Sequence, residues 1–447
     1  MIANNSRRCS FITFGCKVNQ YDTQVMREHL ATNGFREVDE ADTPSTIIVN
    51  TCTVTETAYR EARRFVKRLG RENPNARIIV TGCAAVSNRA EFLGLPNVSA
   101  VVSNAEWGRR NFPFPTPHSP LSTRISYFKG HTRAFLKVQD GCDLNCSFCI
   151  IPSVRGGNVS RKIEDVIDDA KRLADNGYKE IVLTGVHLGS YGKDLDGRSG
   201  VAMAVEKISR IDGIRRIRLS SIEVNEITSE LIEMMASGGK LCPHLHLPLQ
   251  SGDDEVLHRM RRRYNTAQFL SAIDRVNERV SGAAFTTDVI VGFPGETEED
   301  FENTLEVCRR VGFSRIHIFP YSHRIGTDAS RMTETIPPAE KKERFWILKK
   351  LAGELMHNYY KGFEGREVEV LVESKDSGAK FSGYSERYIK TVVLGDACPV
   401  RNFSSRECDE NLEAGLTVAS ISNGVKVGDL VKATVTKVGR NYVEARA

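Results

Sequence analysis

Six short β-rich runs that alternate with helical segments between about residues 128 and 358 restrict this chain more than any other feature. The runs are "AFLKVQ", "EIVLTG", "IRRIRLSS", "HLHLPLQ", "FTTDVIVGF" and "RIHIFPY". Segments 161–176, 226–236, 266–280 and 297–311 have helical period, and Thr297 followed by Asp300 has the form of a capping box. Such alternation predicts an α/β fold with right-handed crossovers, either an open parallel sheet or a partial (β/α) barrel. In both arrangements chemistry gathers at the carboxyl ends of the strands.

A shorter alternation precedes it. Over residues 10–110, "FITFG", "TIIVNT" and "RIIVTG" are separated by helical stretches, which predicts a Rossmann-like parallel-sheet domain at 7–118. A helix read over 57–70 places Ala58, Ala62, Phe65, Val66 and Leu69 on one face, with Arg60, Arg63, Arg64, Lys67 and Arg68 on the other. Prolines 113, 115, 117 and 120 then mark an extended linker before the core at 128–360. After a charged helix at 338–358 the period changes to two in "REVEVLVES", "YIKTVVLG" and "DLVKATVTKVGRNYVEA". This predicts a small OB-like antiparallel β-barrel at 361–447.

The strongest chemical signal is "VQDGCDLNCSFCIIPSVRG", where Cys142, Cys146 and Cys149 form C-x3-C-x2-C directly after the first core strand. Three thiolates so close suit iron–sulfur ligation. The competing zinc site needs a fourth ligand, and no Cys or His nearby supplies one. Three ligands on a four-iron cluster leave one iron open to a substrate, and Phe148 is placed to shield one side. This spacing is similar to the radical S-adenosylmethionine (SAM) signature, which implies a 4Fe–4S cluster that chelates and cleaves SAM.

Three further cysteines occupy equivalent places in the first domain. Cys16 follows "FITFG", Cys52 follows "TIIVNT" and Cys83 follows "RIIVTG". The βα repeat brings strand ends together, so the three are candidates for a second triad of ligands at one sheet edge. The bland reading is three small buried hydrophobes. The total of eleven cysteines is odd, and no export signal is evident, which favours the cytoplasm and metal or redox thiols over a disulfide framework. Cys9, Cys242, Cys308, Cys398 and Cys408 lack ligand spacing and read as structural thiols.

Together these features resemble the methylthiotransferase family over nearly the whole chain. "GCKVNQYDTQ", "LTGVHLGSYG", "HLHLPLQSGDDEVLHRMRRRY" and "DVIVGFPGETEEDF" look most like the tRNA branch that modifies N6-threonylcarbamoyladenosine. The isopentenyladenosine branch shows a "GCQMN"-like stretch at the first cysteine, and the ribosomal-protein branch "GCPKN". The resemblance implies two 4Fe–4S clusters. Cys142, Cys146 and Cys149 hold the SAM-cleaving one, and Cys16, Cys52 and Cys83 hold an auxiliary one that carries or donates sulfur. One SAM methylates that sulfur; a second is cleaved, and its radical removes hydrogen from carbon 2 of the adenine that the methylthio group then joins. The substrate is adenosine 37, beside the anticodon in a tRNA stem-loop. The resemblance also implies a flavodoxin- or ferredoxin-type electron donor, while the sulfur donor stays unknown.

Gly185, Ser221, Glu223, Gln250, Asp288 and Gly292 are strand-end candidates for SAM binding, with ordinary turn and barrel roles as the alternative. For RNA, Arg60, Arg64 and Lys67 on the first-domain helix and Arg261, Arg262 and Arg263 in "HRMRRRY" are the electrostatic candidates. A solvated helix face explains them almost as well. The C-terminal module resembles the RNA-binding TRAM domain, with Phe381, Tyr384, Tyr388 and Phe403 as stacking candidates. Its charge argues little, since 361–447 carries 13 basic and 13 acidic residues. His187, His244, His246, His317 and His323 read as strand-end polar residues. No apolar run matches a membrane span, and a monomer is expected. The competing functions are the same chemistry on isopentenyladenosine or a ribosomal-protein aspartate, and an RNA-binding iron–sulfur regulator without turnover.

Overall fold

The run Thr46–Thr51 is buried at all six positions, as a β-branched strand covered on both faces should be. It is the centre of a wholly parallel five-stranded sheet in the order Arg36–Glu37, Arg8–Thr13, Thr46–Thr51, Arg77–Gly82, Val98–Val102. This is the flavodoxin-type variant of a doubly wound sheet, with its switch point between the strands Arg8–Thr13 and Thr46–Thr51. The computed structural model that shows this describes residues 7–39, 42–103, 124–195, 200–375, 380–394 and 425–446. The expected proline linker, Cys398, Phe403 and Cys408 lie outside the described residues.

The helix Glu56–Glu72 starts where the Thr55 side chain accepts from the Ala58 amide. It buries Tyr59, Ala62, Val66 and Leu69 at helical spacing and leaves Arg60, Arg64 and Lys67 exposed.

All six core strands form, and all pair in parallel. Arg133–Lys137, Glu180–Thr184 and Arg216–Leu219 make one sheet; His244–His246, Ala284–Val291 and Arg315–Pro320 make another. Parallel bridges Ile217↔Leu241 and Ser221↔His246 join them into one curved wall. The helix Glu298–Val311 opens with the expected Thr297–Asp300 capping box. Among the described pairings the outer strands Arg133–Lys137 and Arg315–Pro320 do not meet, so the barrel is partial. Both edges are covered: the helix Lys17–Thr32 of the first domain packs on one, and the helix Pro338–Lys361 on the other.

The C-terminal strands Glu367–Lys375, Lys380–Ser385, Lys390–Leu394, Val443–Arg446 and Leu430–Val438 close into a barrel in that order. The sequence predicts an antiparallel module, yet Lys390–Leu394 pairs with Val443–Arg446 in parallel. An odd number of strands cannot close with every neighbour antiparallel, so one parallel pair is a geometric necessity. Phe381 is part of this barrel's core rather than a stacking surface. Arg216 and Arg218 dock the barrel, donating to the carbonyls of Glu369 and Ser385 at 2.7 and 3.1 Å, while Glu180 pairs with both at 2.8 and 3.0 Å.

Candidate active site

Cys16, Cys52 and Cys83 leave the carboxyl ends of three adjacent strands, Arg8–Thr13, Thr46–Thr51 and Arg77–Gly82. Two glycines make the turns. Gly15 has φ +98°, and a Cβ there would lie 2.6 Å from Cys52 Sγ; Gly82 has φ +91°, and its Cβ would lie 2.2 Å from the Thr51 carbonyl. Cys16 then stands at the N-cap position of the helix Lys17–Thr32 with its thiol free of any capping bond, and Cys83 begins the helix Cys83–Ser87. Asn19 pins the turns by donating to the carbonyls of Phe14 and Thr51 at 2.9 and 3.0 Å.

The three thiols share one electrostatic neighbourhood, because Cys83 feels both Cys16 and Cys52. Burial pushes the Cys52 thiol up and the Cys83 thiol to about 11, with Arg155 partly offsetting both. Cys16 stays exposed while its two partners are buried. Three converging thiols, one of them at the surface, fit a cluster bound by three ligands. Assembly there must release protons, since thiolates are the ligands.

The second triad sits in the loop after Arg133–Lys137. The Cys142 amide donates to Gly156 O at 3.0 Å, and the Cys149 amide to Cys146 O at 3.0 Å. Beside these cysteines is a cavity of about 180 Å³ whose lining includes Phe148, His187, Ser221, Glu223, Gln250 and Arg262. Gln250 has φ +64°, a strained value for a residue with a side chain, and strain of that kind concentrates at functional sites. Arg262 donates to Cys146 Sγ at 3.2 Å and pairs with Glu223. Burial raises the Cys146 thiol and takes Cys149 to about 12, and Arg262 opposes both shifts. The donor set fits a three-thiolate cluster with room for a small polar cofactor at its side.

Several sequence candidates therefore sort by position. Phe148, Ser221, Glu223 and Gln250 line the cavity. Gly185 stands behind it, against Gln139 and Leu188. Gly292, at φ +73°, packs on Lys341. Asp288 faces His246 at 3.3 Å. Arg261 and Arg263 are exposed, Arg261 pairing with Asp328 at 2.5 Å. Arg262 is a correction to the surface grouping: its side chain is 4% exposed and turned into the cysteine cavity. A buried guanidinium that holds a thiol and a carboxylate is not available to a phosphate.

Two further residues stand at the triads: His187, which the sequence read only as a strand-end polar residue, and Arg155, to which it gave no role. His187 lies 3.0 Å from Glu226 and feels the Cys142 thiol. Burial opposes its charge, but Cys142 and Glu226 raise it to about 9. Arg155, 3% exposed, donates to Cys83 Sγ at 3.2 Å and to Asp22 and Asp140 at 3.0 and 2.9 Å. It belongs to the short helix Ile151–Arg155 that follows Cys149, so one segment touches both triads. Its only sequence signal was proximity to the cysteine motif.

Residues 136–308 match the Radical SAM superfamily, and residues 8–103 match the uncharacterized protein family UPF0004. The chain is 38% identical over 406 residues to the threonylcarbamoyladenosine tRNA methylthiotransferase MtaB of Bacillus subtilis, covering 86% of this chain and 90% of that protein. The chain belongs to the radical SAM methylthiotransferase family. The MtaB protein of Thermotoga maritima is likewise 38% identical, covering 86% of this chain and 91% of its own. The tRNA-2-methylthio-N(6)-dimethylallyladenosine synthase of Anoxybacillus flavithermus is 35% identical, covering 86% and 77%. The methylthiotransferase uses two 4Fe–4S clusters and SAM, and the two triads are the thiol sets that fit them.

Proposed function

We propose that this methylthiotransferase acts on tRNA, adding a methylthio group at carbon 2 of N6-threonylcarbamoyladenosine at position 37. The observation that carries this reading is the short segment Ile151–Arg155, which follows Cys149 and brings Arg155 to Cys83 of the other triad, in a chain whose MtaB relatives are named for that activity. When bound, the clusters and SAM supply the electron transfer, hydrogen abstraction and sulfur delivery that side chains cannot perform.

The chain's own residues position and shield. Cys142, Cys146 and Cys149 hold one cluster and Cys16, Cys52 and Cys83 the other. Arg155 and Arg262 each set a positive charge against a ligand sulfur. Ser221, Glu223 and Gln250 offer polar atoms to SAM, and Phe148 excludes water from that side. Gly185, Asp288 and Gly292 are placed to support those strand ends rather than to touch the cofactor.

A cleft of about 1080 Å³ lies between the helix Pro338–Lys361 and the C-terminal barrel. Arg315, Lys349, Lys350, Lys390 and Arg440 line it with Trp346, and at its inner end Tyr384 and Tyr388 stack at 4.8 Å. Basic side chains interleaved with aromatic faces suit a single-stranded RNA loop. In this reading the cleft receives the anticodon loop, the barrel is a TRAM-like module, and Arg60, Arg64, Lys67, Arg261 and Arg263 add long-range attraction.

The functional units are 7–118, 128–360 and 361–447, and one chain holds both triads, so a monomer suffices. A cytoplasmic location and a flavodoxin- or ferredoxin-type donor complete the proposal. Among the described residues, no helix is long and apolar enough to cross a membrane.

Mass spectrometry of tRNA nucleosides from a deletion strain and its complemented parent tests the assignment. Loss of methylthio-threonylcarbamoyladenosine, restored by the gene, is expected. Loss of the isopentenyl product instead moves the enzyme to the other branch. Failure of reduced protein to release 5′-deoxyadenosine from SAM leaves an RNA-binding regulator.

A further inference from the structure

Two parts of the core reach the auxiliary triad, and only one of them belongs to the cysteine loop. The other follows the last barrel strand, Arg315–Pro320, where residues 321–332 meet the first domain. Ser322 Oγ accepts from the Glu56 amide at 3.1 Å. Arg324, whose side chain is 6% exposed, pairs with the Glu56 carboxylate at 3.3 Å and donates to the Thr53 hydroxyl. Thr53 is the residue after Cys52, and Glu56 opens the helix Glu56–Glu72. Arg324 therefore holds both ends of the turn that leads from Cys52 into that helix.

The same segment also touches the SAM-cleaving triad. The Ala329 amide donates to the Ser147 carbonyl at 2.7 Å, between Cys146 and Cys149. Gly326 has φ +96°, and a Cβ there would lie 3.3 Å from Cδ1 of Ile150, the residue after Cys149. Between these contacts the chain is tied to itself. The Thr327 amide and hydroxyl donate to the Arg324 carbonyl at 3.1 and 2.8 Å. A short, internally bonded turn thus runs from the Cys52 side to the loop that carries Cys146 and Cys149.

Arg155 comes from the other outer strand. It lies beyond Arg133–Lys137 and reaches Cys83. The two outer strands do not pair among the described residues. The N-terminal triad is consequently held from the loops after both of them, at two different ligand turns.

We propose that segment 321–332 is a brace that fixes the auxiliary triad relative to the SAM-cleaving one, with Arg324 as its positioning residue. This rests on the reaction read above, in which the adenine carbon that loses hydrogen at one site must meet sulfur at the other. Reactions of that kind lose about 100-fold in rate for a misplacement of 1 Å. A guanidinium presents several donors in one rigid plane, so a buried one bound to two partners resists such a shift. Arg324 acts through the Cys52 turn and not on the reacting atoms.

The test compares Arg324→Gln, Arg324→Lys and Ser322→Ala with wild type, each as anaerobically reconstituted full-length holoenzyme. Four quantities are read: iron content, the spin–spin interaction between the two reduced clusters by electron paramagnetic resonance, 5′-deoxyadenosine, and methylthio product on a threonylcarbamoyl stem-loop. Arg324→Gln should keep about eight irons, show an altered cluster–cluster interaction, and form about tenfold less product per 5′-deoxyadenosine. Arg324→Lys, which keeps a charge for Glu56, should recover part of that ratio. Ser322→Ala should lower it less than Arg324→Gln does. A wild-type ratio in Arg324→Gln at full iron overturns the brace, as does an equal fall in 5′-deoxyadenosine and product. If Arg324→Gln loses iron, Arg324→Lys and Ser322→Ala carry the same comparison; iron loss in all three assigns the segment to cluster assembly and also overturns it. Should wild type thiolate an isopentenyladenosine loop instead, the substrate reading fails and the ratio is read on that loop. If wild type thiolates neither, the reaction itself was misread, and an unaltered cluster–cluster interaction in Arg324→Gln is what would overturn the brace.

Discussion

Arg155 donates to Cys83 Sγ at 3.2 Å although it follows Cys149 by only six residues, so the loop that holds one triad also supports the other. Its second nitrogen pair reaches Asp22 and Asp140 at 3.0 and 2.9 Å, which anchors the guanidinium from both domains. The two sites are therefore linked through the short segment Ile151–Arg155, which ends in a planar, permanently charged group held against Cys83.

Replacing Arg155 with Lys should test that coupling. An ammonium carries all its donors on one nitrogen and cannot span the thiol and two carboxylates that three separate guanidinium nitrogens reach. The variant should retain SAM cleavage while losing iron from the N-terminal triad, giving between about eight and four irons per chain. Iron analysis with electron paramagnetic resonance of the reduced protein reads both.

Substitution of Cys16, Cys52 and Cys83 together by Ala gives the limiting case. Reconstituted wild type should hold about eight irons and the triple variant about four. The variant should still release 5′-deoxyadenosine and form no methylthio product. Wild type that saturates near four irons would show that the N-terminal thiols do not form a cluster site.

Arg262→Met separates a cavity role from a surface role. It strands Glu223 and removes a donor from Cys146. Breaking a buried charge pair costs about 2–5 kcal/mol, so SAM affinity should fall at least tenfold. Binding of an unmodified stem-loop should stay at the wild-type value. Equilibrium dialysis and anisotropy give the two readouts.

The basic cleft predicts a salt effect. Lys349→Ala and Lys350→Ala should each weaken stem-loop binding across sequences and lower the salt-dependence slope by about one if each contacts a phosphate. Anisotropy titrations across a range of salt concentrations measure this directly.

Glu180 sets an acid limit on stability. Burial raises its pKa, but Arg218, Arg216 and Arg133 outweigh this and depress it to about 2. A depressed carboxylate stabilises the fold above its unfolded pKa, and that contribution is lost as pH falls from the normal glutamate range toward about 2. Glu180→Gln should cost about 3–5 kcal/mol at neutral pH, because two buried guanidinium groups lose their partner. Urea unfolding at neutral and acid pH should show the variant losing less stability than wild type on acidification.

Much of the scaffold was legible because it rests on local chemistry. The six core strands, the Thr297–Asp300 cap and the amphipathic helix near 57–70 follow from periodicity and capping, which act over a few residues. The placement of Cys16, Cys52 and Cys83 after three strand runs was equally readable, since parallel β/α units align strand ends. Arg262 was not, because a buried arginine and a solvated one look alike in "HRMRRRY". His187 and Arg155 escaped for the same reason: their roles depend on partners distant in the chain, such as Glu226 and Cys83.

By itself, then, the sequence determined the elements, the two thiol sets and the family they belong to. Those properties follow from spacing along the chain. Tertiary structure alone decided that Arg155, six residues after Cys149, reaches Cys83 and that Arg262 turns inward. Charge pairing and burial depend on distances through space. Those distances were set only when the helix Lys17–Thr32, the partial barrel and the C-terminal barrel packed together.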